Sequence, residues 1–297
     1  MPIFSVNTFM GKFFLIFVCL LSLFSMSGAN AQSYFTTTEY GIALGGSQYF
    51  GDLNESYGFK TIAPAYGMYV RKRLGGYIAV KAVTNYTEVG YDDKFNNVPY
   101  EKVRNLNFKS PVFEVALQAE FNFFKFATGD PYHRFTPYIT SGIGAFYYNP
   151  YTIYKGVRYD LRPLGTEGQN AGYGNRKYSN ISPCFPLGVG IKYWIRPGMN
   201  FSFEIADRLT TTDYLDDVST TYVGASQFKP TTVANPAQAL QDRSLEITAE
   251  PALGRAGKQR GNSSNYDQYI IANVSISWHF TTYRCPQDLN IDLIKVY

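Results

Sequence analysis

The sequence predicts an all-β fold: an eight-stranded antiparallel transmembrane β-barrel of the outer-membrane kind, preceded by a signal peptide. Three observations predict it. The stretch Val112–Phe123 alternates for more than ten residues. Phe113, Val115, Leu117, Ala119, Phe121 and Phe123 form one face, and Glu114, Ala116, Gln118, Glu120 and Asn122 the other. A strand sends alternate side chains to opposite faces, and one whose greasy face meets lipid needs about nine to eleven residues. The same pattern recurs in Phe185–Ile195, Asn200–Leu209 and Tyr269–Phe280. Composition agrees, with 26 Tyr and 23 Phe against only 17% charged residues, too aromatic for disorder and apt for interfacial girdles.

The chain opens with an address signal. Lys12 supplies the positive region, Phe13–Phe24 the apolar run, and Ala29-Asn30-Ala31 the small-residue cleavage site. Residues 1–31 are therefore expected to be removed, which takes Lys12 away and lowers the net charge from +4 to +3. That balance gives no case for nucleic acid. No later run of apolar residues is long enough for a transmembrane helix, so export with long alternating strands points to the outer membrane.

The expected staves, in order, are Glu39–Leu53, Thr61–Lys72, Tyr77–Gly90, Val112–Phe126, Thr136–Tyr148, Phe185–Ile195, Met199–Thr212 and Asp267–Tyr283. Gly75-Gly76, Gly129-Asp130-Pro131 and Arg196-Pro197-Gly198 mark short turns. The other connections are longer, above all 149–183 and 213–265, where Pro236 followed by Ala237–Leu240 starts a short helix. Short turns on one side and long loops on the other are the outer-membrane pattern, with both termini in the periplasm and the long loops outside the cell. The barrel thus occupies 32–283, with a periplasmic tail at 284–297.

A barrel of about eight strands is filled by its own side chains. Lys81, Glu114, Glu120, Lys192, Glu204 and Arg208 face inward and should pair, which leaves no open pore. Function then belongs to the lipid face, the loops or the periplasmic rim. The chemical inventory is sparse. His133 and His279 make no metal motif. Ser275, Ser277 and His279 share a strand face, but that face is the lumen, with no neighbouring carboxylate in the local sequence. Asp213, Asp216 and Asp217 read as solvated loop acids rather than a calcium site. No catalytic residue, cofactor or metal is expected.

Removal of Cys19 leaves Cys184 at the outer end of its strand and Cys285 beyond the periplasmic end of the last one. These levels lie about 30 Å apart at strand rise, far beyond the reach of a disulfide. Cys285 therefore has an intermolecular partner or remains a free thiol. In the tail, Leu289, Ile291 and Leu293 alternate with Asn290 and Asp292, as a strand added to a partner's sheet would; the other reading folds the tail back onto the rim.

Three segments resemble PorG-type proteins, the outer-membrane barrels of the type IX secretion system in Bacteroidetes. They are Gly45-Gly46-Ser47-Gln48-Tyr49-Phe50-Gly51-Asp52-Leu53-Asn54, Thr211-Thr212-Asp213-Tyr214-Leu215-Asp216-Asp217-Val218, and Tyr283-Arg284-Cys285-Pro286. The resemblance runs from about Glu39 to Pro286, and Gly224–Asn265 matches nothing in it. It implies a non-enzymatic anchor that tethers the periplasmic ring of a PorK/GldK-like lipoprotein and a PorN/GldN-like subunit to the outer membrane. Besides lipid, those are its implied partners. Arg284, Cys285, Pro286, Leu289, Ile291 and Leu293 are the expected partner-binding residues, with the turns near Gly75, Asp130 and Pro197 beside them. The alternatives are a surface barrel or adhesin working through its outer loops and, behind that, a lipid-modifying enzyme.

Overall fold

The computed structural model describes residues 38–55, 57–229, 236–249 and 251–279. Alternating sequence becomes ten strands: β1 (Thr38–Phe50), β2 (Ala63–Arg73), β3 (Ile78–Asp92), β4 (Asn107–Asn122), β5 (Phe135–Tyr148), β6 (Tyr151–Tyr154), β7 (Val157–Asp160), β8 (Ile181–Arg196), β9 (Met199–Thr210) and β10 (Gln268–His279). Eight are barrel staves, in the order β3-β2-β1-β10-β9-β8-β5-β4, and β3–β4 pairing closes the ring. Every pairing is antiparallel. Closure satisfies the backbone of every stave, which lipid requires because it offers no hydrogen bonds.

The alternation sorts as the sequence demands. On β4, Leu117 and Phe121 are about half exposed on the outside while Glu114 and Glu120 are buried within. Leu44, Ile143, Leu187 and Val189 continue the outer apolar belt, each more than half exposed. Water would not tolerate so continuous a patch, and lipid is its natural partner. Near the short turns, Tyr77, Phe121, Phe123, Phe135, Tyr193 and Trp278 form an exposed aromatic girdle. Gly190 of β8 fits the crowded lumen because a Cβ there would stand 2.5 Å from the Tyr138 ring and 2.6 Å from the Phe203 carbonyl.

Several boundaries shift by a few residues, as where β1 ends at Phe50 rather than Leu53 and β8 starts at Ile181 rather than Phe185, and both ends of β4 shift for clear reasons. β4 starts at Asn107, not Val112, because its first residues keep pairing with β3 from Asp92↔Asn107 to Glu88↔Pro111. It stops at Asn122, not Phe126, because the chain turns under the barrel there. The Phe126 amide donates to the Gly76 carbonyl at 3.0 Å, and its buried ring lies beneath the Arg73 guanidinium, 5.8 Å away. Phe126 is thus a stopper at the short-turn end. As a result the β4–β5 connection, 123–134, is as long as the β1–β2 loop, 51–62, so the contrast between turns and loops is weaker there than the sequence reading held. The predicted last stave reaches Tyr283, of which the part beyond His279 lies outside the described residues.

The 149–183 segment contains structure that sequence reading left as loop. β6 and β7 form a hairpin around Lys155-Gly156, both at positive φ, and β6 extends the wall beside β4 through Lys109↔Tyr151. Short helices α1 (Pro99–Arg104), α2 (Leu161–Leu164) and α3 (Ala237–Gln241) complete the loops. α3 is the helix expected after Pro236, with that proline as its N-cap rather than its first turn.

Candidate functional site

The lumen near the short turns is a charge network. Glu120 accepts from Lys192 Nζ at 2.5 Å and forms ion pairs with Arg71 Nε at 2.8 Å and Lys81 Nζ at 3.4 Å. Glu204 binds Lys81 at 2.6 Å and the Tyr138 hydroxyl at 2.8 Å. Glu114 takes Arg208 Nε at 3.0 Å, Asn85 and Tyr269. Glu39 accepts from Arg71 Nη1 at 3.0 Å and forms an ion pair with Arg73 Nε at 3.3 Å. All six inward charges expected from sequence are there. Glu39, Arg71 and Arg73 join them, since they alternate inward from residues first read as strand ends. The gap among Tyr69, Lys81, Tyr138 and Ser275 has room for little more than a water molecule.

Toward the long loops the lumen changes character. Tyr49, Phe108, Val112, Phe146, Tyr148, Cys184, Tyr269 and Ile271 line it. The loops send down Leu53, Leu106, Leu161, Leu215, Val218 and Leu240 to pack on them as one core. The loops are thus a folded cap that seals the second mouth. Sequence reading placed polar, separate loops here and missed the cap. The signal lay in those spaced leucines, each buried in a run otherwise rich in turn residues.

Buried ions tie the cap together. Asp93 holds Arg104 through two bonds of 2.8 Å, and Arg104 also donates to the Asp52 and Arg260 carbonyls, each at 2.9 Å. Three loops meet on that one guanidinium. Glu167 accepts from Arg260 at 3.0 Å, from the Ser219 and Thr220 amides, and from the Thr220 hydroxyl at 2.6 Å. Tyr178 stacks on Tyr214 at 4.6 Å and donates to Asp217 at 2.6 Å.

Asp213, Asp216 and Asp217 were expected as solvated acids; all three are buried. Asp217 accepts from Thr166 and Tyr178. Asp216 accepts from the Tyr49 hydroxyl at 2.6 Å and the Val218 amide at 2.8 Å. Asp267 meets the same hydroxyl at 3.0 Å and accepts the Leu215 amide at 2.8 Å. Asp52 accepts the Asn262 amide. Gly51 must be glycine, because a Cβ would fall 1.8 Å from Asp267 Oδ1. Among the described residues, no three acids, histidines or cysteines converge as a metal ion requires. Burial drives these carboxyls up: Asp213 to about 9, Asp52 to about 7, Asp217 to about 6, and Asp216 and Asp267 well above the usual carboxylate range. Neighbouring acids add to the rise at Asp213, Asp216 and Asp267.

The remaining candidates disperse. Ser275 bonds to Ser202 at 2.6 Å and Ser277 donates to Glu39 at 3.2 Å, so the lumen uses both serines and neither reaches His279. His133 pairs with Asp130 at 2.6 Å in the β4–β5 turn, which holds Tyr132 93% exposed. Cys184 is buried at the loop end of β8, opposite Gly144 and Thr210. Arg284, Cys285, Pro286, Leu289, Ile291 and Leu293 lie outside the described residues, as do residues 1–31.

Comparison with known proteins adds the following. The chain shares the barrel outline of Ail from Yersinia pestis at 9% identity, over 82% of this chain and 99% of that one, with a TM-score of 0.39. For neisserial surface protein A the identity is 8%, the coverage 82% and 97%, and the TM-score 0.39. For the N-terminal barrel of Pseudomonas aeruginosa OprF they are 11%, 83% and 100%, and 0.34. At such scores the fold rests on the strand pairing described above. A comparison with curated proteins finds no match. A family model matches residues 12–230, which include every stave but β10, and the chain belongs to that family, described as Domain of unknown function (DUF6089).

Proposed function

We propose that this barrel is a non-enzymatic anchor in the outer membrane, a component of the type IX secretion system that holds a periplasmic PorK/GldK-like and PorN/GldN-like ring. On this reading the short turns and both termini face the periplasm and the cap faces outward. One observation carries the non-enzymatic part. The barrel is stopped at one mouth by Phe126 and at the other by the cap, and its serines are tied into the lumen away from His279. Such a body acts through its surfaces. The resemblance to PorG-type proteins supplies the partner. Two of its motifs meet in space, where Tyr49 of the first touches Asp216 of the second. They therefore work together in building the cap, as shared signatures of one fold would. Partner binding falls to the Arg284–Tyr297 tail. Deletion of that tail should release the ring proteins in copurification while the barrel still assembles; ring proteins retained by the truncated barrel would refute the assignment.

A second reading, a surface barrel working through its loops, gains from the cap being a built structure that exposes Val98, Tyr100, Leu245 and Ile247. Alanine at these four positions should leave secretion intact under the anchor reading and abolish function under this one.

A further inference from the structure

Seven acids are buried in the cap: Asp52, Asp93, Glu167, Asp213, Asp216, Asp217 and Asp267. Among the described residues only two cations are buried with them, Arg104 and Arg260. Both are committed, Arg104 to Asp93 and Arg260 to Glu167. Half-buried Arg176 donates to the Glu167 and Thr221 carbonyls, and Arg243 pairs with half-exposed Glu246 while lining the gap beside Asp216, which still leaves the acids in excess. Among the described residues no cluster has the geometry for a metal ion that would neutralise the surplus. Protons are left.

The contact at Tyr49 shows where one proton must sit. Its hydroxyl oxygen lies 2.6 Å from Asp216 Oδ2 and 3.0 Å from Asp267 Oδ1. A hydroxyl has one hydrogen and can give it to one carboxylate only. The second oxygen would then face the hydroxyl's lone pairs with nothing between them. The outer oxygens are taken, Asp216 Oδ1 by the Val218 amide and Asp267 Oδ2 by the Leu215 amide. The consistent arrangement is a chain in which protonated Asp267 donates to Tyr49 and Tyr49 donates to ionised Asp216. The shorter distance then belongs to the bond with the charged acceptor, as expected.

We propose that this chain is a proton-dependent latch, which holds the 211–229 stretch on the barrel mouth while Asp267 keeps its proton and releases it as the surrounding medium turns alkaline. The groups facing the chain come from every packed loop. They are Asp52, with exposed Glu55 beyond it, after β1; Asp93 and Arg104 after β3; Glu167 and Tyr178 before β8; and Asp213, Asp217, Arg243 and Arg260 between β9 and β10. Tyr148 of β5 and Tyr269 of β10 line the floor. Acids predominate, so they reinforce retention of the proton while the cap is shut; entering water screens them and solvates the carboxylate, which lets the proton go. Burial holds Asp267 far above the ordinary carboxylate value. The closed-to-open ratio should therefore fall by up to about tenfold per pH unit above the ordinary carboxylate range.

The test uses the full mature chain in detergent micelles with Cys184→Ser and Cys285→Ser. Spin labels are placed at Lys258→Cys on the exposed cap and at Tyr132→Cys on the opposite turn. The distance between them is expected to be narrow at pH 5, broad at pH 9.5, and narrow again on return to pH 5. The Asp216→Asn/Asp267→Asn pair has lost the latch protons and should broaden markedly less, the remainder coming from Asp52, Asp213 and Asp217. A distance that ignores pH, a broadening that does not reverse, or the same pH response in the asparagine pair would overturn the latch. Should the pair fail to assemble, Asp267→Asn alone keeps the comparison, since it removes the group that loses the proton. A pH response undiminished in that variant is equally fatal.

Discussion

The lumen and the cap bury charge to a similar degree and neutralise it in opposite ways. The lumen holds four buried acids, Glu39, Glu114, Glu120 and Glu204, against five cations, Arg71, Arg73, Lys81, Lys192 and Arg208. The cap holds seven acids against two. The difference follows from the backbone. In a closed barrel the strands spend their amides on one another, so a lumen carboxylate has only side-chain donors. Cap loops leave amides free, and the carboxylates take them: Asn262 for Asp52, Leu106 for Asp93, Leu215 for Asp267, Val218 for Asp216, and Ser219 and Thr220 for Glu167. Amides bring partial charge only, so protons cover the remainder.

The largest effect should come from Glu120, on which Arg71, Lys81 and Lys192 converge. Removing one partner of a buried ion pair costs about 3–5 kcal/mol, because the other charge is stranded. Glu120→Ala strands Lys192, which keeps only Asn122 Oδ1, and leaves Arg71 with Glu39 and Lys81 with Glu204 as their one remaining carboxylate. We expect a loss of at least that size in the urea unfolding of the barrel in micelles. A loss below about 1 kcal/mol would mean that the network is slack and water-filled, in the range of exposed ion pairs.

Arg104→Met is its counterpart in the cap. It strands Asp93 and frees two carbonyls, but Asp93 keeps the Leu106 amide and can take up a proton. Burial already raises the Asp93 carboxyl. The loss should therefore be smaller, about 1–3 kcal/mol, and should appear in the cap alone. Proteolysis of the 93–106 loop should rise in this variant, and less so at pH 5 than at pH 8. An equal increase at both values would remove the distinction between the two regions.

Asp213→Asn reverses the sign. The carboxyl is raised to about 9 in the folded cap against an ordinary 3.8. A group raised on folding adds stability in full below its unfolded value, and that contribution is lost as pH climbs toward the folded value. Asparagine cannot ionise and escapes the loss. The variant should match the wild type near pH 4 and exceed it increasingly up to about pH 9, by about 1 kcal/mol or more. Cap unfolding followed at pH 4, 7 and 9 checks the trend, and a variant weaker than wild type at pH 9 would contradict it.

These cases show what could be read from the sequence. Alternation on β4 is a direct readout of which face meets lipid, and the lumen charges followed from parity alone. Parity also held for Arg71 and Arg73, which a run of three basic residues disguised as a solvated end. The cap was not legible, because no periodicity governs a loop whose order comes from contacts far apart in sequence. Tyr49 meets Asp216 and Asp267 across separations of 167 and 218 residues. Asp216 beside Asp217 reads as a polar exit from a strand, and only the fold brings it against a tyrosine in the barrel wall.

The smallest effect belongs on the outer wall, where charge is neither buried nor paired closely. Glu88 and Lys109 sit 3.9 Å apart, with Lys109 60% exposed. Solvent and salt screen such a pair, whose median worth is about 0–1 kcal/mol. The positions adjoin in neighbouring strands, where Gly90 faces Lys109 and Glu88 faces Pro111, so the contact is diagonal and weaker than a direct cross-strand pair. Lys109→Ala should change unfolding by no more than about 0.5 kcal/mol, and a double-mutant cycle with Glu88→Ala should give a coupling near zero that vanishes in high salt. A coupling of the size expected at Glu120 would show that the lipid-facing rim shields charge as well as the lumen does, and the division between paired, protonated and screened charge would no longer follow burial.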